Sequence, residues 1–250
     1  TGRSWLSGAS GDVVPTGQFA AWRGSDVPIA GAWADSNAGQ LGLWQIQPDG
    51  QYGRWNGDLE YAIGAIGPGE TWAAAARGAY DDRWRRSLRS MARLWADRPG
   101  RLYIRFAHEF NGDWTPWSVT AASAPDFITA WQRFHALKEV EFPEAGMVFA
   151  PNSETAISSG LDWRDAFPGA EYVDVVSVSY FNAWPWTGTA AEFQQLALRD
   201  DERVFIGDES DIAHLIAGTL GLRLEETNTS WEGLFLGIDN TICISLKLSG

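Results

Sequence analysis

The chain has 250 residues, a net charge of −13 and 45% hydrophobic residues. That length suits one α/β barrel or two small cores, and a surface this acidic repels phosphate backbones, which argues against a nucleic-acid partner. No run of about 18 apolar residues is there to span a membrane, and the one cysteine, Cys243, rules out an internal disulfide.

The opening TGRSWLSGAS has no basic stretch followed by an apolar one, so a mature secreted chain and a cytoplasmic one look alike at this end. From there, short apolar runs alternate with helix-period stretches, the pattern of βα units around a parallel sheet. Strands are predicted at 4–10 (SWLSGAS), 27–35 (VPIAGAWAD), 59–67 (LEYAIGAIG) and 101–109 (RLYIRFAHE). Three more follow at 146–152 (GMVFAPN), 172–181 (YVDVVSVSYF) and 203–210 (RVFIGDES). The glycines of the third mark places where backbone approaches something closely. The valines of the sixth suit a strand covered on both faces.

Helices fall between them. In 81–95, Trp84, Leu88, Met91 and Trp95 share one face, and the arginines sit on solvated faces. In 123–140, Ser123 and Asp126 echo a capping box, and Phe127, Trp131, Phe134 and Leu137 form the apolar stripe. His135 on that helix has no chemical neighbours in sequence and reads as structural. A shorter helix is predicted at 190–198.

Seven such strands favour a (β/α)8 TIM barrel over an open doubly wound sheet. A dinucleotide-binding sheet wants a Gly-rich turn after its first strand, which SGASGD matches poorly, and Lys138 and Lys247 are the only lysines, which leaves no P-loop. The last forty residues depart from the pattern. They offer a helix at 211–220, a strand at 233–238, and a tail, TICISLKLSG, that reads as strand or apolar extension instead of a closing helix. The expectation is a single domain over 1–250, with an atypical or incomplete eighth βα unit.

In such barrels the active site lies at the C-terminal ends of the strands. The fourth strand ends in His108 and Glu109, followed by Asn111, Trp114 and Trp117. The fifth ends in Asn152. The sixth ends in Tyr180, Phe181 and Asn182, followed by Trp184 and Trp186, and the seventh in Asp208 and Glu209. Carboxylates, amides and aromatics therefore converge on one rim. Two carboxylates across a cleft equip a chain for glycoside hydrolysis, and roughly 5–5.5 Å between them gives retention. The proton donor of such a pair has to stay protonated near neutral pH, which an apolar wall or a second carboxylate brings about. Fifteen tryptophans exceed what a core needs. With roughly two-thirds filling volume, several remain to face the C–H patches of sugar rings.

RFAHEFNGDWTPW resembles the signature of glycoside hydrolase family 26, commonly R-F-x-H-E-M-N-G-x-W-x-x-W. FPGAEYVDVVSVSYFN is similar to that family's P-G-x-x-Y-V-D-x-V-G-x-D-x-Y-N, FAPN to its fifth-strand exit, and GAYDDRW to the helix before its fourth strand. About residues 4 to 210 follow the family pattern. The resemblance implies a retaining endo-hydrolase of β-linked polysaccharide, secreted and monomeric, with β-mannan the commonest substrate. β-Glucan, β-xylan or a bacterial exopolysaccharide are the other candidates. It implies Glu109 as acid/base, with His108 beside it contacting the sugar or the second carboxylate. Tyr180 falls near a tyrosine that hydrogen-bonds the nucleophile, and Trp114 matches the aromatic of the sugar platform. Asn111, Trp117, Asn152 and Trp184 complete the expected substrate-binding set.

The nucleophile stays between two residues. Family members often read I-G-E-F-G where this chain reads IGDES. Asp208 stands at the expected place and Glu209 one step beyond. An Asp holds its carboxylate one methylene farther back, and side chains alternate along a strand. Glu209 is favoured if the backbone turns there, and Asp208 is the alternative. Both acids also read plainly as loop or helix-capping residues. The family's eighth-strand Trp has no clear match, although Trp231 lies nearby.

A metal hydrolase is disfavoured: there are three histidines, and HEFNG lacks the second His of H-E-x-x-H. No metal or cofactor is called for. A carbohydrate-binding barrel that has lost catalysis is the rival reading, because the seventh strand departs from the pattern. Arg105 and Arg164 offer local positive charge at the cleft, and Arg105 equally suits a pair with an acid inside the barrel mouth.

Overall fold

The computed structural model describes residues 6–152, 155–181, 233–238 and 241–247. Its strands are β1 (Leu6–Ser10), β2 (Ile29–Ala34), β3 (Asp58–Ile63), β4 (Leu102–Phe106), β5 (Gly146–Phe149), β6 (Val175–Phe181), β7 (Gly233–Ile238) and β8 (Thr241–Lys247). They close into a barrel in the order β1-β2-β3-β4-β5-β6-β8-β7. Strands β1 to β6 are mutually parallel, and β7 is parallel to β1. β8 runs antiparallel to both β6 and β7. The expected (β/α)8 barrel is therefore present with an atypical closure, the tail adding an antiparallel stave. The predicted strand at 203–210 and the helices at 190–198 and 211–220 lie outside the described residues.

The helices are α1 (Gln18–Arg23), α2 (Asn37–Gly42), α3 (Trp72–Ala76), α4 (Asp81–Trp95) and α5 (Ala124–Glu141). α4 begins and ends where its periodicity places it, and Trp84, Leu88, Met91 and Trp95 are buried. α5 buries Phe127, Trp131, Phe134 and Leu137 as expected, but Ser123 makes no side-chain cap to the helix. Its hydroxyl instead accepts from Thr120 N at 2.9 Å. α1, α2 and α3 are too short to show a period. α2 and α3 are set by caps, with Ser36 Oγ accepting from Gly39 N and Thr71 Oγ1 from Ala74 N.

The outer core lies between sheet and helices and has an aromatic cluster around Phe106. Phe106 of β4 stacks on Phe134 at 4.3 Å and meets Trp84 and Trp131 edge-on, both at 5.5 Å. The buried indoles are satisfied: Trp84 Nε1 donates to Ala65 O and Trp131 Nε1 to Tyr172 O. The α4 arginines, expected in solvent, are largely engaged with acids on other elements. Arg83 grips Glu70 at 2.6 and 2.7 Å, and Arg85 and Arg89 both reach Glu141 of α5. The packing of α4 beside α5 that brings these partners together has no local sequence signal. His135 sets its ring edge-on to Tyr172.

Candidate active site

Strand β4 carries opposite chemistry on its two faces. Phe106 enters the outer core. Arg105 points into the barrel, where it is buried 3.4 Å from the equally buried Glu60 of β3. The chain then leaves the strand through two non-glycine residues in the left-handed region, Ala107 at φ 52° and Glu109 at φ 54°. Such conformations cost roughly 1 kcal/mol or more each and persist where neighbours fix them. Here Ala107 N donates to Ile63 O on β3, and Glu109 N donates to Ala150 O beyond β5 at 2.7 Å. The Glu109 side chain is thereby held, half-buried, at the C-terminal rim.

His108 lies between them, 8% exposed. Trp117 stands behind it: its indole donates to His108 O at 2.8 Å, and the two rings are 5.2 Å apart. Trp117 is 4% exposed, so it offers almost no surface to a ligand and acts by holding His108. Gly64, just past β3, makes room for it, because a Cβ there would sit 2.4 Å from the Trp117 ring and 2.2 Å from Asp35 O. This is the close approach that the glycines of the third strand foretold.

Asn111 is fully buried and joins the loops after β4 and β5. Its Oδ1 accepts from Asn152 N at 2.7 Å, and its Nδ2 donates to Asn152 O and Thr155 Oγ1, each at 2.9 Å. Asn152 in turn bridges to Ser179 of β6. Both amides hold the rim together, and their buried positions leave Asn111 no face for substrate. Trp114 differs: it is 56% exposed and lies over Gly112, where a Cβ would be 2.5 Å from the indole. Tyr180 lies near the end of β6, in register with Ile242. Trp184, Asp208 and Glu209 lie outside the described residues, as do Asn182, Trp186 and Trp231. Arg164 is not brought to the rim; it is exposed and pairs with Asp162.

Two rim residues escaped the sequence reading. Asp35 directly follows β2, and its Oδ1 is 3.8 Å from His108 Nε2. Burial is the main influence lifting its carboxyl to about 6; the Glu109 carboxylate adds to this and the Arg105 charge opposes it. His108 is held well below its ordinary range, chiefly by burial and then by Arg105. It is a neutral imidazole at pH 7, so its approach to Asp35 is not an ion pair. Glu60 is also raised, by burial first, against the pull of Arg105. Trp33 of β2 is 42% exposed in a strand that is otherwise buried, and Arg105 Cζ lies 6.0 Å from its ring. The signal that marks this pair is an Asp at a strand exit with a Trp two residues before it.

The family model for glycosyl hydrolase family 26 matches residues 91–204. The matched segment carries His108, Glu109, Asn111, Trp114, Trp117, Asn152, Tyr180 and Trp184; Asp208 and Glu209 lie just beyond it, and Trp33 and Asp35 well before it. No curated protein matches the chain at a significant level. Among solved structures, the family 26 β-mannanase of Bacteroides ovatus superposes at a TM-score of 0.55 with 12% identity, over 94% of this chain and 72% of that one. A β-mannanase from a symbiotic protist of the termite Reticulitermes speratus, complexed with gluco-manno-oligosaccharide, gives 0.51 and 15%, over 80% and 72%. GH26C from a Muricauda species gives 0.48 and 15%, and the chain spans 58% of that protein's length. The first two show that the barrel fold is shared with family 26 enzymes.

Proposed function

We propose that the chain is a retaining endo-glycoside hydrolase that acts outside the cell on a β-linked polysaccharide. β-Mannan is favoured over β-glucan, β-xylan and bacterial exopolysaccharide. The observation that carries this is the setting of Glu109: it stands at the C-terminal end of β4, in a left-handed conformation tied to Ala150, beside a neutral histidine and inside the family 26 segment. The mannanase neighbours support the choice of substrate.

In this reading the Glu109 carboxyl gives its proton to the glycosidic oxygen as the bond to the anomeric carbon breaks. A carboxylate oxygen of Glu209, with Asp208 as the alternative, forms an ester to that carbon. A water then gives its proton to the Glu109 carboxylate while its oxygen attacks the carbon. The ester bond breaks and both acids return to their starting states. His108, uncharged, is placed to hydrogen-bond the sugar without adding charge beside the acid. Trp114 supplies an exposed ring for stacking.

A panel of β-mannan, β-glucan, β-xylan and exopolysaccharides, assayed for new reducing ends, tests the proposal. Release from one of them, abolished in Glu109→Ala but better preserved on an activated aryl glycoside, supports it. Azide rescue of Glu209→Ala or Asp208→Ala with an inverted product identifies the nucleophile. The departure at IGDES favours one second reading, a barrel that binds but does not cut. Retardation in polysaccharide gels with no release of ends would establish that reading instead.

A further inference from the structure

Trp33 and Asp35 have no part in the mechanism above. On β2, Ile29 belongs to the inner core, and alternation places Trp33 on the same inward face, with Asp35 continuing it at the strand exit. Trp33 pairs across the sheet with Ala62, and Ala62 pairs with Arg105. The small Ala62 between them lets the indole extend toward the guanidinium. The Trp33 backbone is fixed as well: its N–H donates to Gln45 Oε1 at 2.9 Å, Gln45 Nε2 contacts Gln51 Oε1, and Gln51 Nε2 donates to Asp12 in the loop after β1. An indole leaves much of its burial energy unused by standing 42% exposed at a barrel mouth.

We propose that Trp33 and Asp35 form a sugar subsite on the β2 side of the mouth, Trp33 as the stacking face and Asp35 as the hydroxyl acceptor, built for an uncharged sugar unit. The subsite deepens the glycoside hydrolase reading and rests on it for the class of ligand. A pyranose presents an apolar C–H patch on one side and hydroxyls at its edge, which suits a ring face with a carboxylate two residues away. The preference for an uncharged unit follows from the charges around it. Asp35 is a carboxylate above about pH 6, His108 is neutral, and Arg105 is buried against Glu60. A uronate would meet the Asp35 carboxylate at this mouth, with the cation already engaged. The Glu109 charge is felt at Asp35, in keeping with their closeness.

Binding separates this subsite from turnover. In a Glu109→Gln background, calorimetry would measure affinity for mannohexaose, cellohexaose and xylohexaose, with oligogalacturonate as the charged probe. Trp33→Leu keeps an apolar cover over Arg105 but has no ring face, so it distinguishes a platform from a lid; Trp33→Ala is the harsher variant. The expected result is that the parent binds at least one neutral probe better than the uronate. Trp33→Leu should weaken that binding about tenfold with little change in melting temperature, and Asp35→Asn should weaken it less while narrowing the discrimination against the uronate. The proposal is overturned if Trp33→Leu binds as the parent does, if the uronate binds as tightly as the neutral probes, or if the parent binds none of them. Loss of binding in Trp33→Leu together with absence of turnover in the wild-type chain would overturn the hydrolase reading and leave the subsite standing.

Discussion

Arg105 and Phe106 are consecutive residues on one strand, and they open onto two regions built to different rules. Outside the sheet, Phe106 meets four aromatic rings, Trp72, Trp84, Trp131 and Phe134, the buried indole N–H groups have acceptors, and the helices are tied by Arg–Glu and Arg–Asp pairs. Inside and above the sheet, Arg105 and Glu60 are buried as charges, two non-glycine residues sit at positive φ, an imidazole is kept neutral, and a carboxyl is lifted to about 6. The outer region supplies stability. The mouth keeps buried ionisable groups with shifted proton affinities that a merely stable fold would discard, and these are the features a reacting site uses.

The sharpest way to break this contrast is at Glu109. Glu109→Gln should lower turnover on polysaccharide by about 10³-fold, the scale of a lost general acid, and leave the melting temperature nearly unchanged. Glu109→Gly should be as inactive, and a glycine relieves the left-handed strain by about 1 kcal/mol. If thermal melts show Glu109→Gly less stable than wild type, the strain argument fails.

Phe106→Ala makes the opposite statement. It removes a fully buried ring from the centre of the outer aromatic cluster, and should cost about 3–5 kcal/mol in denaturant unfolding. Activity per folded molecule should stay near wild type at low temperature. A variant that unfolds normally but loses turnover would mean that the two regions are not separable across the strand.

How far the sequence foretold each region follows from the same division. α4 was legible residue for residue because fifteen residues of helical period leave little freedom. The first six strands were legible because apolar runs bounded by turn residues suit staves buried on both faces. Glu109, His108 and Trp114 could be singled out from sequence because their motif is local, running through consecutive residues of one strand exit and its loop. Trp33 and Asp35 were missed because their meaning depends on register: Trp33 in an apolar strand reads as core until Ala62 and Arg105 are placed beside it. Trp117 and Asn111 were read as ligands, while the structure places both behind the surface, as supports for His108 and for Asn152. The tail that forms β8 was legible as strand or apolar extension, but its antiparallel direction was not, since that is set by a partner far away in sequence.

Asn111 tests the boundary between the regions, being buried like the core yet serving the rim. Asn111→Ala removes the acceptor of Asn152 N–H and both of its donor contacts. The stability cost should be about 1–3 kcal/mol, the range for buried groups left unpaired. If Asn111 positions the rim, the turnover number should fall more than KM rises, because the strand-exit geometry loosens while the exposed Trp114 ring keeps its place. A rise in KM alone would return Asn111 to the substrate-binding set.

The smallest effect concerns the two titrating neighbours at the mouth, whose pH slopes oppose each other. The folded state holds Asp35 at about 6, above its ordinary carboxyl value, so it binds the proton more tightly than the unfolded chain. Ionising Asp35 therefore costs stability as pH rises through the window from about 4 to 6, and the cost is complete above it. With 47% of its side chain exposed, solvent screening trims that cost to about 1 kcal/mol or less. His108 works the other way: its folded value is depressed, so stability is full above the unfolded value and is lost as pH falls below about 6.5. In the wild-type chain the two slopes partly cancel on acidification. Asp35→Asn removes one of them, so the variant should gain most in melting temperature above pH 6 and nothing below pH 4, and its stability should fall more steeply with acid than that of the wild type. Melting curves from pH 4 to 7.5 that stay parallel would show that Asp35 ionises in the folded chain as it does in the unfolded one.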